Sequence, residues 1–151
     1  MRLPTQLECI VFRKSKGRYE FLMLKRILSK GGFWQPVTGG LETKDKSMLD
    51  GAYREIREEA GIRKKDVIRA IEHIYYYEFK ADVLEKEKLT KVKEYIFAFE
   101  VKPSLKVSIG KNLYDEHDEY RWVSFGRALK LLKWPGNKEA LKKLNSILGS
   151  L

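Results

Sequence analysis

The stretch YREIREEAGI, residues 53 to 62, packs three glutamates and two arginines into barely two turns of a predicted helix. At about 100° per residue, Glu55, Glu58 and Glu59 fall at i, i+3 and i+4, within roughly one third of the circumference. Leu49, Ala52, Tyr53, Ile56 and Ala60 recur at helical spacing. Ser47 followed by Asp50 reads as an N-terminal cap, and Gly61 as the stop. With Ile56 at the centre of the buried stripe, the carboxylates sit at the border between core and solvent, where a pocket edge would lie. Three like charges so close repel one another. Arg54, at i to i+4 with Glu58, is the obvious local counter-charge, so a divalent cation is a natural neutraliser. The competing reading is a solvated salt-bridge face worth a few tenths of a kcal/mol per pair, the commoner fate of such runs.

Working outward, LECIVFRK and YEFLMLKRI are β-rich runs joined by a short turn, a predicted hairpin. GGFWQPVTGGLETKDKS follows, a glycine-rich segment read as a structured loop around a short β piece, where a ligand could approach backbone. VIRAIEHIYYYEF and KEYIFAFEVK read as longer strands linked by an exposed charged connection, and EYRWVSF as a further short strand. GRALKLLKW and KEALKKLNSILGSL read as amphipathic helices. Strands interspersed with helices predict a layered α/β or α+β domain, and 151 residues a single one spanning 1–151.

Thirty-one Lys and Arg against 21 Asp and Glu give a formal charge of +10, so the summed field draws in anions. That leaves nucleotides, nucleic acid or acidic lipid open, by sign alone. Cys9 is the single cysteine and is read as a buried structural thiol; no intrachain disulfide can form. No apolar run approaches the roughly 20 residues of a membrane span, and the N-terminus lacks a leader pattern, so a cytoplasmic protein with no membrane partner is expected.

REIREEAGI resembles the second half of the Nudix hydrolase signature, G-x5-E-x7-R-E-U-x-E-E-x-G-U with U aliphatic, and matches it at every fixed position from Arg54 to Ile62. FWQPVTGGLE resembles the lead-in of the branch acting on dihydroneopterin triphosphate and dATP, and EHDEYRWVSFGRALKLLKWPGNKEAL that branch's C-terminal part. The resemblance implies a Nudix-type α/β/α sandwich with a mixed sheet and flanking helices. It departs at the front: Lys46 stands where the family carries its first glutamate. Either that acid is lost, or the loop holds one extra residue and Asp45 takes its place.

The resemblance implies Mg²⁺, with Mn²⁺ able to substitute, held by Glu55, Glu58, Glu59 and Glu116. Glu55 binds metal or polarises the attacking water, Glu116 completes the metal shell or acts as base, and Arg54 orients the glutamates. Without the family, the acidic run around Glu116 reads as a surface loop, and His117 as a surface or packing residue. Arg26, Gly39 and Gly40 are candidate phosphate contacts; Trp34 is a stacking or core residue, and Gln35 a candidate for paired hydrogen bonds to a base. Trp122 and Trp134 read as core.

The function implied is cleavage of a nucleoside triphosphate, dATP-like, or of dihydroneopterin triphosphate to monophosphate and pyrophosphate, by a monomer or homodimer. A dinucleoside polyphosphate hydrolase is the second enzyme reading. A non-catalytic nucleotide- or RNA-binding module is the third, motivated by Lys46 and the basic charge, but the intact acidic trio counts against it.

Overall fold

The computed structural model describes residues 2–81, 90–109 and 117–150. Of the exposed connection predicted over 80–92, residues 80–81 and 90–92 belong to strands, and 82–89 lie outside the described residues, as does Glu116.

Strands β1 (Arg2–Ser15) and β2 (Arg18–Arg26) form the predicted hairpin, with Ser15 opposite Arg18 and Phe12 opposite Phe21. The glycine-rich segment is more regular than its composition suggests. It contributes β3 (Trp34–Gln35), antiparallel to β2, and β4 (Val37–Glu42), antiparallel to β1. Glycine has low strand propensity; here pairing with β1 places Gly39 opposite Leu7 and Gly40 opposite Gln6.

Helix α1 (Met48–Ala60) begins where expected, with the Ser47 side chain accepting a hydrogen bond from the Asp50 N–H at 3.1 Å. It ends at Gly61, whose φ of 70° is the left-handed conformation that favours glycine. The Ser108 N–H caps the Ala60 carbonyl at 2.9 Å.

Strand β5 (Val67–Ala81) pairs antiparallel with β6 (Thr90–Val101), and β6 runs parallel to β1. Strand β7 (His117–Val123) pairs antiparallel with β2. The seven strands form one mixed sheet. Helices α2 (Phe125–Leu131) and α3 (Pro135–Gly149) follow, with α3 starting at the proline of the predicted PGN turn.

Alternation along β1 sends its side chains into two cores. Leu7, Cys9 and Val11 pack with Ala52, Ile56 and Ala60 of α1 on one face. Ile10 and Phe12 pack with Ala128 of α2 and Ala140, Leu141 and Leu144 of α3 on the other. The architecture is therefore the expected α/β/α sandwich. Cys9 is buried, its Sγ 3.8 Å from the Ala52 carbonyl, as its apolar run predicted. Among the described residues no helix is long and apolar enough to cross a membrane.

Candidate active site

The acidic trio is set by three neighbours, each from a different element. Glu55 lies against β4 at Gly39, where any side chain would collide: a Cβ there would stand 2.0 Å from the Glu55 carboxyl carbon. Glycine is required for this close approach, not for an unusual φ. The resulting burial pushes the Glu55 carboxyl up to about 7, opposed by the nearby Arg54 cation and reinforced by the charges of Glu58 and Glu59.

Arg54 is almost entirely buried and organises the other side. Its Nε donates to Asp45 Oδ1 at 2.9 Å and its Nη2 to Asp45 Oδ2 at 3.0 Å, a two-pronged pairing. Nη2 also donates to the Gly40 carbonyl at 2.9 Å, while Nη1 reaches Glu55 at 2.8 Å, Glu58 at 3.2 Å and Glu42 at 3.0 Å. These bonds hold Asp45 below the usual carboxylate range and raise Arg54, so both stay charged. Asp45 also accepts from the Glu42 N–H at 2.9 Å, and it sits over Gly51, where a Cβ would stand 2.9 Å from Oδ2. Asp45 thus occupies the acidic place beside the arginine, whereas Lys46 is exposed. This geometry favours a one-residue-longer loop over loss of the acid.

Glu59 is buried and pairs with the equally buried His117, Oε2 to Nδ1 at 3.2 Å. The other ring nitrogen of His117 stands 3.1 Å from Gln35 Nε2. With the Gln35 amide N–H donating, His117 Nε2 is the acceptor and Nδ1 carries the proton given to Glu59. His117 is therefore a buried bridge between β3 and α1, the packing rather than the surface alternative of its reading. Its proximity in sequence to Glu116 was the only local signal. The Gln35 amide nitrogen expected to read a base is committed to this bridge.

The trio does not converge as helical spacing alone implied. Glu55 turns to β4, Glu59 to His117, and Glu58 stays exposed on Arg54. Among the described residues no three His, Cys, Asp or Glu side chains are gathered so as to hold a metal ion as they stand. The donors are nevertheless all carboxylate oxygens, with one carboxyl strongly desolvated beside two more glutamates. That chemistry fits a hard divalent cation.

Arg26, at the end of β2 opposite His117, donates its side chain to the Lys30 carbonyl at 3.3 Å and lies 5.9 Å over the Phe33 ring. Trp34 is half-buried against the second core under the Arg121 guanidinium, 4.8 Å from its ring. Trp122 is half-buried under Arg13. Trp134, expected in the core, is 47% exposed, edge-on to Phe33 at 5.8 Å, because it precedes α3 rather than lying on its apolar stripe.

A NUDIX domain profile matches residues 6–144. The chain is 32% identical over 143 residues to an octanoyltransferase of Myxococcus xanthus, covering 93% of this chain and 37% of that protein. The chain spans under two fifths of the length of the first curated relatives it matches. A solved NUDIX hydrolase structure from Listeria monocytogenes, itself described as putative, superposes with a TM-score of 0.83 at 31% identity, covering 98% of this chain and 96% of that one. The E. coli dihydroneopterin triphosphate pyrophosphohydrolase shares the fold, with a TM-score of 0.75 at 22% identity and 94% of each chain covered. The signature residues on α1, the glycine-lined approach of β4 and these matches agree: the chain belongs to the NUDIX domain family.

Proposed function

We propose that this chain is a metal-dependent pyrophosphohydrolase that cleaves a nucleoside triphosphate or dihydroneopterin triphosphate to the monophosphate and pyrophosphate. The observation carrying this reading is the Glu55 carboxyl held against Gly39, with Arg54 fixing its orientation. A binding module has no need to bury a carboxyl beside two more glutamates.

Glu55, Glu58 and Glu59 would hold Mg²⁺ or Mn²⁺, joined by Glu116 on the strength of the resemblance. When bound, the cation neutralises phosphate oxygens and makes water a better nucleophile. The protein's own share is positioning. Arg54 restrains Glu55 and Glu58, His117 restrains Glu59, and the desolvated Glu55 carboxylate is placed to accept a proton from water. Arg26, at the end of β2 opposite His117, supplies a phosphate contact.

The test is hydrolysis of dATP, dihydroneopterin triphosphate and diadenosine polyphosphates with Mg²⁺ or Mn²⁺, with products separated by chromatography. Pyrophosphate is the expected initial fragment from the triphosphates. Orthophosphate as the initial product contradicts the cleavage position, faster turnover of the dinucleotides favours the second enzyme reading, and inactivity throughout favours a binding module.

A further inference from the structure

The side of α1 turned away from Glu55 and Glu59 carries the opposite charge. Lys46, Asp50, Tyr53, Arg57, Arg63 and Lys64 help line an open concavity of about 550 Å³. Arg57 is two residues from both Glu55 and Glu59, which places it about 160° round the helix from each. Glu55 and Glu59 therefore face away from the concavity, while Glu58, about 100° from Arg57, stands at its border on Arg54.

Its four outer cations, Lys46, Arg57, Arg63 and Lys64, are all exposed. Among the described residues none of them forms an ion pair. Asp50 is the single acid of the lining. Arg54 borders the concavity too, but its guanidinium is taken up by Asp45 and the glutamates. Lys64 is held 5.0 Å over the ring of Tyr53, which itself packs on Phe99 at 4.9 Å, giving the floor a fixed aromatic wall.

The cations are strung out rather than clustered. Lys46 precedes α1, Arg57 lies in its last turn, and Arg63 and Lys64 follow its end. Thirteen residues make a helix about 20 Å long. Such a spread matches an extended row of negative charges better than one compact anion, and arginine forks suit phosphate oxygens.

We propose that this concavity is a second anion site, for a ligand bearing a chain of linked phosphates. The source is a free inorganic oligophosphate or the phosphate chain of a nucleotide; both present the same chemistry to Arg57, Arg63 and Lys64. The site is independent of the hydrolytic reading above and stands without it.

The experiment is calorimetric titration of the full chain, in EDTA and low salt, with tripolyphosphate and separately with ATP. Wild type and Lys143→Ala, an exposed cation on α3, should bind alike, and an Arg57→Ala/Arg63→Ala/Lys64→Ala variant about tenfold or more weaker, with a shallower salt dependence. Tighter ATP than tripolyphosphate assigns the nucleotide as source; equal binding assigns the free anion. Melting of each variant without ligand checks the fold, and a single Arg63→Glu change, at an exposed position, serves if the triple variant melts early. The proposal is overturned if the Arg57, Arg63 and Lys64 variants bind like wild type, if Lys143→Ala weakens binding as much as they do, or if sulfate competes equally, which means an adventitious ion only.

Discussion

Gly39 and Glu55 occupy one space: a methyl group at residue 39 would lie 2.2 Å from both oxygens of the Glu55 carboxyl. Gly39→Ala must displace either the glutamate or β4. Overpacking of this kind costs about 1–3 kcal/mol, and the larger effect should fall on turnover, on the order of a hundredfold. Comparing kcat with the urea midpoint separates the two; a variant with wild-type kcat would show that Glu55 need not sit where it does.

Asp45 and Lys46 should behave as opposites although they are adjacent. Asp45→Asn removes a charge from the buried Arg54 pair. Full loss of a buried partner costs about 3–5 kcal/mol, and the remaining carboxylates on Arg54 should hold the loss to about 2 kcal/mol. Because the Asp45 carboxyl is held low, its contribution is present at neutral pH and disappears as pH falls through that lowered value. Lys46→Glu, at an exposed position, should change stability by no more than about 0.5 kcal/mol. The metal concentration for half-maximal activity should rise in Asp45→Asn and stay within about twofold in Lys46→Glu, whose exposed side chain carries little of the site's charge. The reverse pattern would restore the register in which Lys46 fills the acidic place.

Glu59→Gln keeps the shape of the side chain and removes its charge, so folding should survive while most activity is lost. His117→Ala should lower kcat less, on the order of tenfold, since it acts through Glu59. If His117 positions Glu59 for metal, added Mn²⁺ should recover part of the His117→Ala loss and none of the Glu59→Gln loss. Equal recovery, or none in either, contradicts the division of labour.

A second pair of acids lies on the other face of the sheet. Glu8 and Glu94 are buried on neighbouring strands, and one oxygen of each has no hydrogen-bond partner among the described residues. Burial raises Glu8, with Glu94 adding to the rise and Asn137 hydrogen bonding against it; burial pushes Glu94 up to about 7, opposed by Gln6. A carboxyl raised on folding binds its proton more tightly in the folded state. Its contribution is full below the unfolded value near ~4.3 and is lost as pH rises through about 7. The urea midpoint should therefore fall between pH 5 and pH 8, and Glu94→Gln should flatten that slope and stabilise the protein at pH 8. An unchanged slope would mean that Glu94 is ionised throughout.

Local signals carried α1 from cap to stop, because Ser47, the apolar spacing and Gly61 each act within a turn of the helix. They could not carry β3 and β4, whose regularity comes from pairing with distant strands. The Gln35, His117 and Glu59 bridge joins residues with no periodic relation in the chain, and only folding shows it. Glu8 was hidden by the apolar run LECIVF. On a strand buried on both faces, the alternation that marks an inward acid is absent. Helical spacing fixes the shared face of Glu55, Glu58 and Glu59, not the rotamers that Arg54, His117 and Gly39 impose.

The parallel seam between β1 and β6 bears on how the chain is made. Synthesis completes the hairpin, β4 and α1 well before Thr90 emerges, so one edge of β1 waits open, with Cys9, Ile10 and Val11 along it. Such an edge invites pairing with another copy of the chain. In that interval Glu8 is wetted and ionised, and a charge beside an apolar strand discourages association. The residue that is costly to bury at the end guards the nascent strand at the beginning, and Glu8→Leu should leave more of the chain in aggregates on dilution from urea, even if the refolded fraction is more stable.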